Sequence, residues 1–219
     1  MSKDTASKRA FVVASSPRAE KPPGLDPQPG EVVIAADGGA NRCIEWDWPI
    51  TRIVGDMDSI DREVLKKLNA AGVPMEAYSP EKDQTDLEIA LGRALDADPD
   101  EIIIAGVLGA RIDHTLGNLG LLALPELIGT PTRIVDGRQT IWLVRGESVV
   151  NGEVGDTLSL IPYGGEAGGV SLTGVHWPLQ QAELPLGPSL SISNRLVESS
   201  AVVSVTEGMV LVVHVSSTG

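Results

Sequence analysis

The chain has 219 residues, with 17 basic side chains against 30 acidic ones and a formal net charge of −13. Its 42% hydrophobic content excludes a disordered chain and leaves room for one large domain or two small ones, each with its own core. The acid excess argues against nucleic acid or an anionic membrane surface as partner, although a bound metal ion reverses the local sign for an anionic substrate.

Residues 10–14 (AFVVA) read as a first buried strand. A long loop rich in proline and charge follows at residues 15–30. Residues 32–36 (VVIAA) form a second apolar run, residues 51–54 (TRIV) a third, residues 73–78 a fourth and residues 101–108, with three consecutive isoleucines, a fifth. Continuous β-branched runs of this kind suit strands buried on both faces of a parallel sheet. Helical patterns lie between them. Residues 61–71 place Val64, Leu65 and Leu68 on one face. Residues 87–95 do the same with Leu87, Ala90, Leu91, Ala94 and Leu95, after a Thr85/Glu88 pair spaced as a capping box. Residues 115–124 form the last helix, ended by Pro125. Alternating strands and helices imply an α/β, Rossmann-like domain with right-handed crossovers over residues 10–137.

Beyond about Gly137 the helical period fades. Short β-rich runs at residues 140–144, 157–161, 169–172, 190–193, 201–205 and 209–215, separated by glycine and proline turns, predict a small antiparallel β-sandwich over residues 138–219. The one cysteine, Cys43, leaves no intrachain disulfide and fits a reducing compartment. No apolar run reaches membrane-spanning length, and the polar residues 1–9 lack the core of a signal peptide, so the expected location is the cytoplasm.

Four short segments carry the chemistry: ADGGANR (residues 36–42), GDMDS (55–59), EKDQTD (81–86) and GARIDH (109–114). Each follows a predicted strand. In an open parallel sheet ligands bind beyond the carboxyl ends of the strands, so Asp37, Asp56, Asp83 and Asp113 are expected at one edge. Carboxylates converging there need a cation, and an all-oxygen donor set suits Mg²⁺ bridged to phosphates. Asp56 and Asp58 stand two apart in a tight turn and reach one ion. Gly38 and Gly39 open a short helix whose amides favour phosphate. Arg111 offers a fork for phosphate oxygens and Lys82 a point charge.

Each segment also has a plainer reading. Asp37-Gly38 is a common turn pair, Asp58 or Ser59 is a candidate cap for the next helix, Asp86 favours the helix dipole, and Asp113 is a candidate N-cap. His114 touches a phosphate or braces its loop. His214 reads as structural, and Cys43 as a small helix-face residue. The P-loop and the dinucleotide fingerprint are both missing.

Taken together and in order, these blocks resemble those of the thiamine pyrophosphokinase (thiamin diphosphokinase) family. GVHWPL (residues 174–179) and SISN (191–194) resemble its later segments. The resemblance implies an N-terminal catalytic domain, a C-terminal sandwich, and a homodimer that holds thiamine between the catalytic domain of one subunit and the sandwich of the other. It implies transfer of a pyrophosphoryl group from ATP to the hydroxyethyl oxygen of thiamine, with AMP released. By position, Asp56, Asp58 and Asp86 would hold Mg²⁺. Asp37, Gly38, Gly39, Asn41, Arg42, Lys82, Thr85, Arg111 and His114 would surround the nucleotide. Asp83, Gln84 and Asp113 would lie near the phosphates or the attacking hydroxyl. Trp177 would stack on a thiamine ring, with Ser193 and Asn194 orienting the ligand.

Met57 stands where the family usually has an aromatic, Ala110 replaces a common glycine, and Gly117 lies inside a predicted helix. The loop over residues 15–30 has no evident counterpart. Three rival readings remain. A Mg²⁺-dependent nucleotide phosphohydrolase would use the same acids. A non-catalytic regulator would bind thiamine or nucleotide without turnover. A sugar-binding sandwich would leave residues 36–114 unexplained.

Overall fold

The computed structural model describes residues 8–109 and 111–217. Most of the polar stretch 1–9 and the departure at Ala110 therefore lie outside the described residues. The chain divides into two compact units, Met1–Gly137 and Arg138–Gly219. No helix among the described residues is long and apolar enough to cross a membrane.

The first unit alternates strand and helix: β1 (Arg9–Val13), β2 (Val32–Ala36), α1 (Gly39–Glu45), β3 (Arg52–Gly55), α2 (Arg62–Ala70), β4 (Met75–Ala77), α3 (Asp86–Leu95), β5 (Glu101–Ala105), α4 (Ile112–Leu121), a 3₁₀ turn (Pro125–Leu127) and β6 (Thr132–Asp136). The strands pair in parallel in the order β6-β5-β1-β2-β3-β4. The chain runs outward from β1 to β4, then returns to the other side of β1 with β5. That reversal makes the β1/β5 boundary the switch point of the sheet. Phe11, Val13, Val33, Ala35, Ile53, Ile103, Ala105 and Val135 pack with Cys43, Trp46, Trp48 and Leu68 in one buried cluster. The period-2 spacing of the strand residues is that of one sheet face. Helix α3 packs on β1, β2 and β3.

The segment over residues 15–30 lacks regular structure but is tied down along its length. Trp48 Nε1 donates to Asp26 Oδ1 (2.8 Å), Lys21 pairs with Asp26 (2.7 Å) and donates to the Trp46 carbonyl (2.8 Å), and the Glu20 amide donates to Asp136 (2.6 Å). Trp48 in turn packs edge-on against Phe11 and Trp46.

Helix α4 begins at Ile112, three residues before the apolar pattern suggests. Arg111 occupies the N-cap position in extended conformation, so Asp113 is not the cap: it sits in the first turn. Likewise Asp61, not Asp58 or Ser59, takes the N-cap position of α2. The capping box at α3 is half made. The Glu88 amide donates to Thr85 Oγ1, while the Glu88 carboxylate accepts from Gln84 instead of reaching back.

The second unit is built from β7 (Gln139–Val144), β8 (Glu147–Asn151), β9 (Thr157–Pro162), β10 (Ala167–Thr173), β11 (Leu179–Leu184), β12 (Asn194–Arg195), β13 (Ser200–Ser204) and β14 (Val210–Val215). All pairings are antiparallel, in the orders β12-β9-β14-β7 and β11-β10-β13-β8. Leu158 and Leu160, Val170 and Leu172, Ala201 and Val203, and Val210 and Val212 alternate inward from both sheets into one core. Residues 190–193 are not the strand their pattern suggests. They form a turn, with Ser193 at φ +62°, and only Asn194–Arg195 pair with β9. Strands β8 and β11 escape the sequence pattern because each is an edge strand burying a single residue.

Asp156 is a buried polar hub of this unit. It accepts from the Glu153 amide (2.9 Å), the Ser217 amide (2.7 Å) and hydroxyl (2.9 Å), and faces His214 Nε2 at 2.8 Å. His214 is thus structural, as its setting in a β-rich run suggests. Burial pushes the Asp156 carboxyl up, but these donors together outweigh it and bring the group from 3.8 down to about 2. A depressed carboxyl stabilises the fold above its unfolded pKa and loses that contribution as pH falls through the folded value. Asp156→Asn should therefore cost about 2 kcal/mol at pH 6. Its deficit relative to the parent should shrink between pH 4 and pH 2, read by urea unfolding at each pH. Gly117 sits in α4 with open space where a Cβ would stand. Gly117→Ala should raise stability by up to ~1 kcal/mol in the same assay.

Candidate active site

The carboxyl ends of β1, β2, β3 and β5 are brought together by backbone contacts that only glycine permits. A Cβ on Gly39 would fall 1.9 Å from the Val13 carbonyl oxygen, and one on Gly106 would fall 2.2 Å from that of Ala14. Gly106 also has φ +74°, which favours glycine in its own right. The Ala14 amide donates to the Ala105 carbonyl (2.9 Å) and the Ser16 amide to that of Gly106 (2.8 Å), extending the β1/β5 pairing beyond the strands.

Asp37 follows β2, and Asp56 and Asp58 follow β3. One carboxylate oxygen from each lies within 4.8 Å of the others. Local bonds hold them there. The Ser59 amide donates to Asp37 Oδ1 (3.3 Å), the Asp58 amide to Asp56 Oδ1 (3.2 Å), and the Ser59 hydroxyl to Asp58 Oδ1 (2.8 Å). Asn41 ties the loops to each other, donating to the Ser59 carbonyl (3.0 Å) and accepting from the Asp61 amide (3.0 Å). Asp37 and Met57 both have positive φ (45° and 65°). Backbone strain of that kind gathers at functional sites. Met57 turns its side chain to the core cluster, away from the acids.

Asp86, first residue of α3, lies against the same turn: a Cβ on Gly55 would fall 3.1 Å from its Cγ and 2.9 Å from Asp37 Cβ. Its Oδ1 stands 3.0 Å from Lys82 Nζ, an ion pair not aligned as a hydrogen bond, and has no other partner among the described residues. A buried carboxylate oxygen without an aligned donor beside three clustered carboxylates is a donor set that fits a hard cation such as Mg²⁺. The family resemblance implied Asp56, Asp58 and Asp86 as the metal set; the structure gathers Asp37 with Asp56 and Asp58 and sets Asp86 beside them. Asp83, Gln84 and Thr85 are exposed on the approach to α3.

Arg111 and Asp113 stand apart from this cluster as a local two-point pair, with Nη2–Oδ2 at 2.5 Å and Nε–Oδ1 at 3.2 Å, both side chains exposed. Bonding to Arg111 holds the Asp113 carboxyl at about 2. His114 is exposed on α4. Arg42 pairs with Glu45 and donates to the Ser16 carbonyl (3.2 Å). That bond exposes what the sequence reading missed. Residues 15–18 form a fifth segment of this edge, with Ser15 against Gly38, Ser16 Oγ donating to the Leu108 carbonyl, and Arg18 against Gly109. The available signal was position alone, since the segment follows the first predicted strand.

In the second unit Trp177 is 58% exposed and meets the His176 ring edge-on at 4.4 Å. Asn194 is buried and hydrogen-bonded to the Trp177 main chain, and the Ser193 amide donates to Ser159 Oγ (2.9 Å). Cys43 is buried, and burial pushes its thiol up to about 12, which excludes a nucleophilic role.

Comparison with known proteins matches residues 28–130 to the family described as thiamin pyrophosphokinase, catalytic domain, and residues 147–210 to thiamin pyrophosphokinase, vitamin B1 binding domain. Thiamine pyrophosphokinase of Bacillus subtilis (strain 168) is 35% identical over 162 residues, covering 73% of this chain and 76% of that protein. Thiamine pyrophosphokinase 2 of Oryza sativa subsp. japonica is 31% identical over 189 residues, covering 74% and 69%. Among solved structures, the Bacillus subtilis enzyme superposes with a TM-score of 0.82 at 29% identity, covering 96% of this chain and 100% of that one. The Geobacillus thermodenitrificans enzyme gives 0.80 at 28%, covering 96% and 99%. The chain belongs to the thiamin pyrophosphokinase family.

Gly55 has φ +142° and abuts Asp37 and Asp86. Gly55→Ala should destabilise by about 1–3 kcal/mol through backbone strain and, by displacing both acids, weaken Mg²⁺ binding about tenfold or more. Calorimetric titration of the folded variant with Mg²⁺ checks this. Unchanged affinity would show that the cluster does not depend on this packing.

Proposed function

We propose that the chain transfers the pyrophosphoryl group of ATP to the hydroxyethyl oxygen of thiamine, giving thiamine diphosphate and AMP. The observation that carries the reading is the convergence of Asp37, Asp56 and Asp58 within 4.8 Å at the carboxyl edge of a parallel sheet, in a chain matched by both the catalytic and the vitamin B1 binding descriptions of the family.

Asp56, Asp58 and Asp86, with Asp37 beside them, would hold Mg²⁺. When bound, Mg²⁺ supplies charge neutralisation on the phosphate oxygens. The protein's own groups position the reactants, which is most of what phosphoryl chemistry requires. Gly38, Gly39, Asn41, Arg42, Thr85 and His114 border the nucleotide. Lys82, already paired with Asp86, brings a cation next to the acid cluster. Arg111 is a fork on an exposed loop, and phosphate oxygens compete with Asp113 for it. Asp83 and Asp113 are the candidates to take the hydroxyl proton. Gln84 lies beside Asp83 as a polar contact. Trp177 supplies an exposed indole for a thiamine ring, flanked by Ser193 and Asn194. The working form in this reading is a cytoplasmic homodimer in which a second copy completes the thiamine site.

An AMP-coupled assay with ATP, Mg²⁺ and thiamine tests the proposal. AMP and thiamine diphosphate should form only when all three are present. Phosphate released from ATP without thiamine would favour the phosphohydrolase instead. Asp58→Asn should keep the fold and lower turnover by about 100-fold or more, at least what loss of an outer-shell partner costs a metal site. Near-normal turnover in a folded variant would remove Asp58 from the metal set.

A further inference from the structure

Asn194 is one of five buried polar or charged residues among the described residues, and its side-chain amide is committed to the main chain of Trp177 and Arg195. Nδ2 donates to the Trp177 carbonyl (2.7 Å), and Oδ1 accepts from the Trp177 amide (3.1 Å) and from the Arg195 amide (2.9 Å). Both main-chain polar groups of Trp177 thus end on a single side chain. The orientation of the amide is fixed by its partners, because a donor and an acceptor of the same residue face it. Both acceptor positions of Oδ1 are filled, and the residue is only 5% exposed. A ligand would find no free oxygen on it.

The clamp is itself anchored. Asn194 and Arg195 pair with Leu158 and Thr157 of β9. The Ser193 amide donates to Ser159 Oγ (2.9 Å), and Ser191 Oγ donates to the Leu160 carbonyl (2.6 Å). From the other side, the His176 amide donates to the Arg195 carbonyl (2.9 Å) and the Val197 amide to that of Gly174 (3.0 Å). The turn carrying Trp177 is therefore docked on residues 194–197 along its whole length, while its indole projects into solvent. A large exposed aromatic on a short turn would otherwise sample many positions, and holding it in one lowers the entropy lost when a flat ring stacks on it.

We infer that Asn194 is a positioning residue that acts on thiamine only through Trp177. The inference rests on the reading above in which Trp177 faces thiamine, and it changes the part Asn194 plays there: it shapes the aromatic surface and does not touch the vitamin.

A double-mutant cycle on the full-length protein decides the matter. The variants are Trp177→Ala, Asn194→Ala and the pair, with Asn194→Asp as a near-isosteric variant that keeps the acceptor and loses the donor. Thiamine KM, ATP KM and kcat are measured for each. Asn194→Ala should raise thiamine KM about tenfold and leave ATP KM unchanged, with Asn194→Asp between it and the parent. In the Trp177→Ala background either change at 194 should add nothing to thiamine KM. If Asn194→Ala does not fold, the same cycle is completed with Asn194→Asp. Full additivity would show that Asn194 meets thiamine directly and would overturn the inference, as would an equal rise in ATP KM. An unchanged thiamine KM in Trp177→Ala alone would instead remove the stacking role of Trp177, and the inference would fall with the reading beneath it.

Discussion

Three carboxylates held within 4.8 Å of one another are the constraint around which the first unit is arranged. Two like charges at that separation repel by roughly 1 kcal/mol in water and roughly 3 kcal/mol at the effective dielectric near a protein surface. The chain holds them together by ending two parallel strands side by side and turning each loop tightly. Gly55, Asp37 and Met57 all adopt positive φ within this small region, and the Ser59 and Asp58 amides bond carboxylate oxygens that would otherwise swing apart. A cation bound among them would offset the repulsion. Acids held this way keep their spacing, whereas free acids on a surface would spread apart.

The same edge explains why small residues stand at the start of α1 and after β5. For the loops to surround one ligand, the backbone after β1 must pass between them. It does so where Gly39 meets the Val13 carbonyl and Gly106 meets that of Ala14. Any side chain at either position would push the strand ends apart and take Asp37 with them. The sheet's order places β1 at the switch point, and the glycines let the loops on either side of it approach closely.

Much of this was legible in the sequence. Continuous β-branched runs marked the parallel strands because such strands are buried on both faces, and the acid loops stood out because each followed one of those runs. What was not legible had specific physical causes. Strands β8 and β11 bury one residue each, so they leave no apolar period to find. Residues 190–193 alternate leucine and isoleucine with serine as a strand would, yet Ser193 turns the chain with φ +62°. Arg111 and Asp113 read as separate actors but form one local pair, which no spacing rule distinguishes from two independent contacts. The order of the segment over residues 15–30 could not be read because its anchors, Trp48, Trp46, Asp136 and Arg42, are distant in sequence.

The two units fix their functional groups by different physics. In the α/β unit a side chain is placed by where its strand ends, so parallel register does the positioning and a loop needs only a tight turn. In the sandwich the exposed Trp177 lies on a turn between strands, docked on residues 194–197, and Asn194 takes both of its main-chain groups. A buried amide with every acceptor filled is costly to disturb, because loss of it leaves buried partners unpaired. Such a group therefore suits a fixed support better than a contact that must form and break with each turnover. Asp156, with four partners on one buried carboxylate, also holds the residue after β12: its own carbonyl accepts from the Leu196 amide. The indole is held by hydrogen bonds between residues 174–177 and residues 194–197, with Asn194 at their centre.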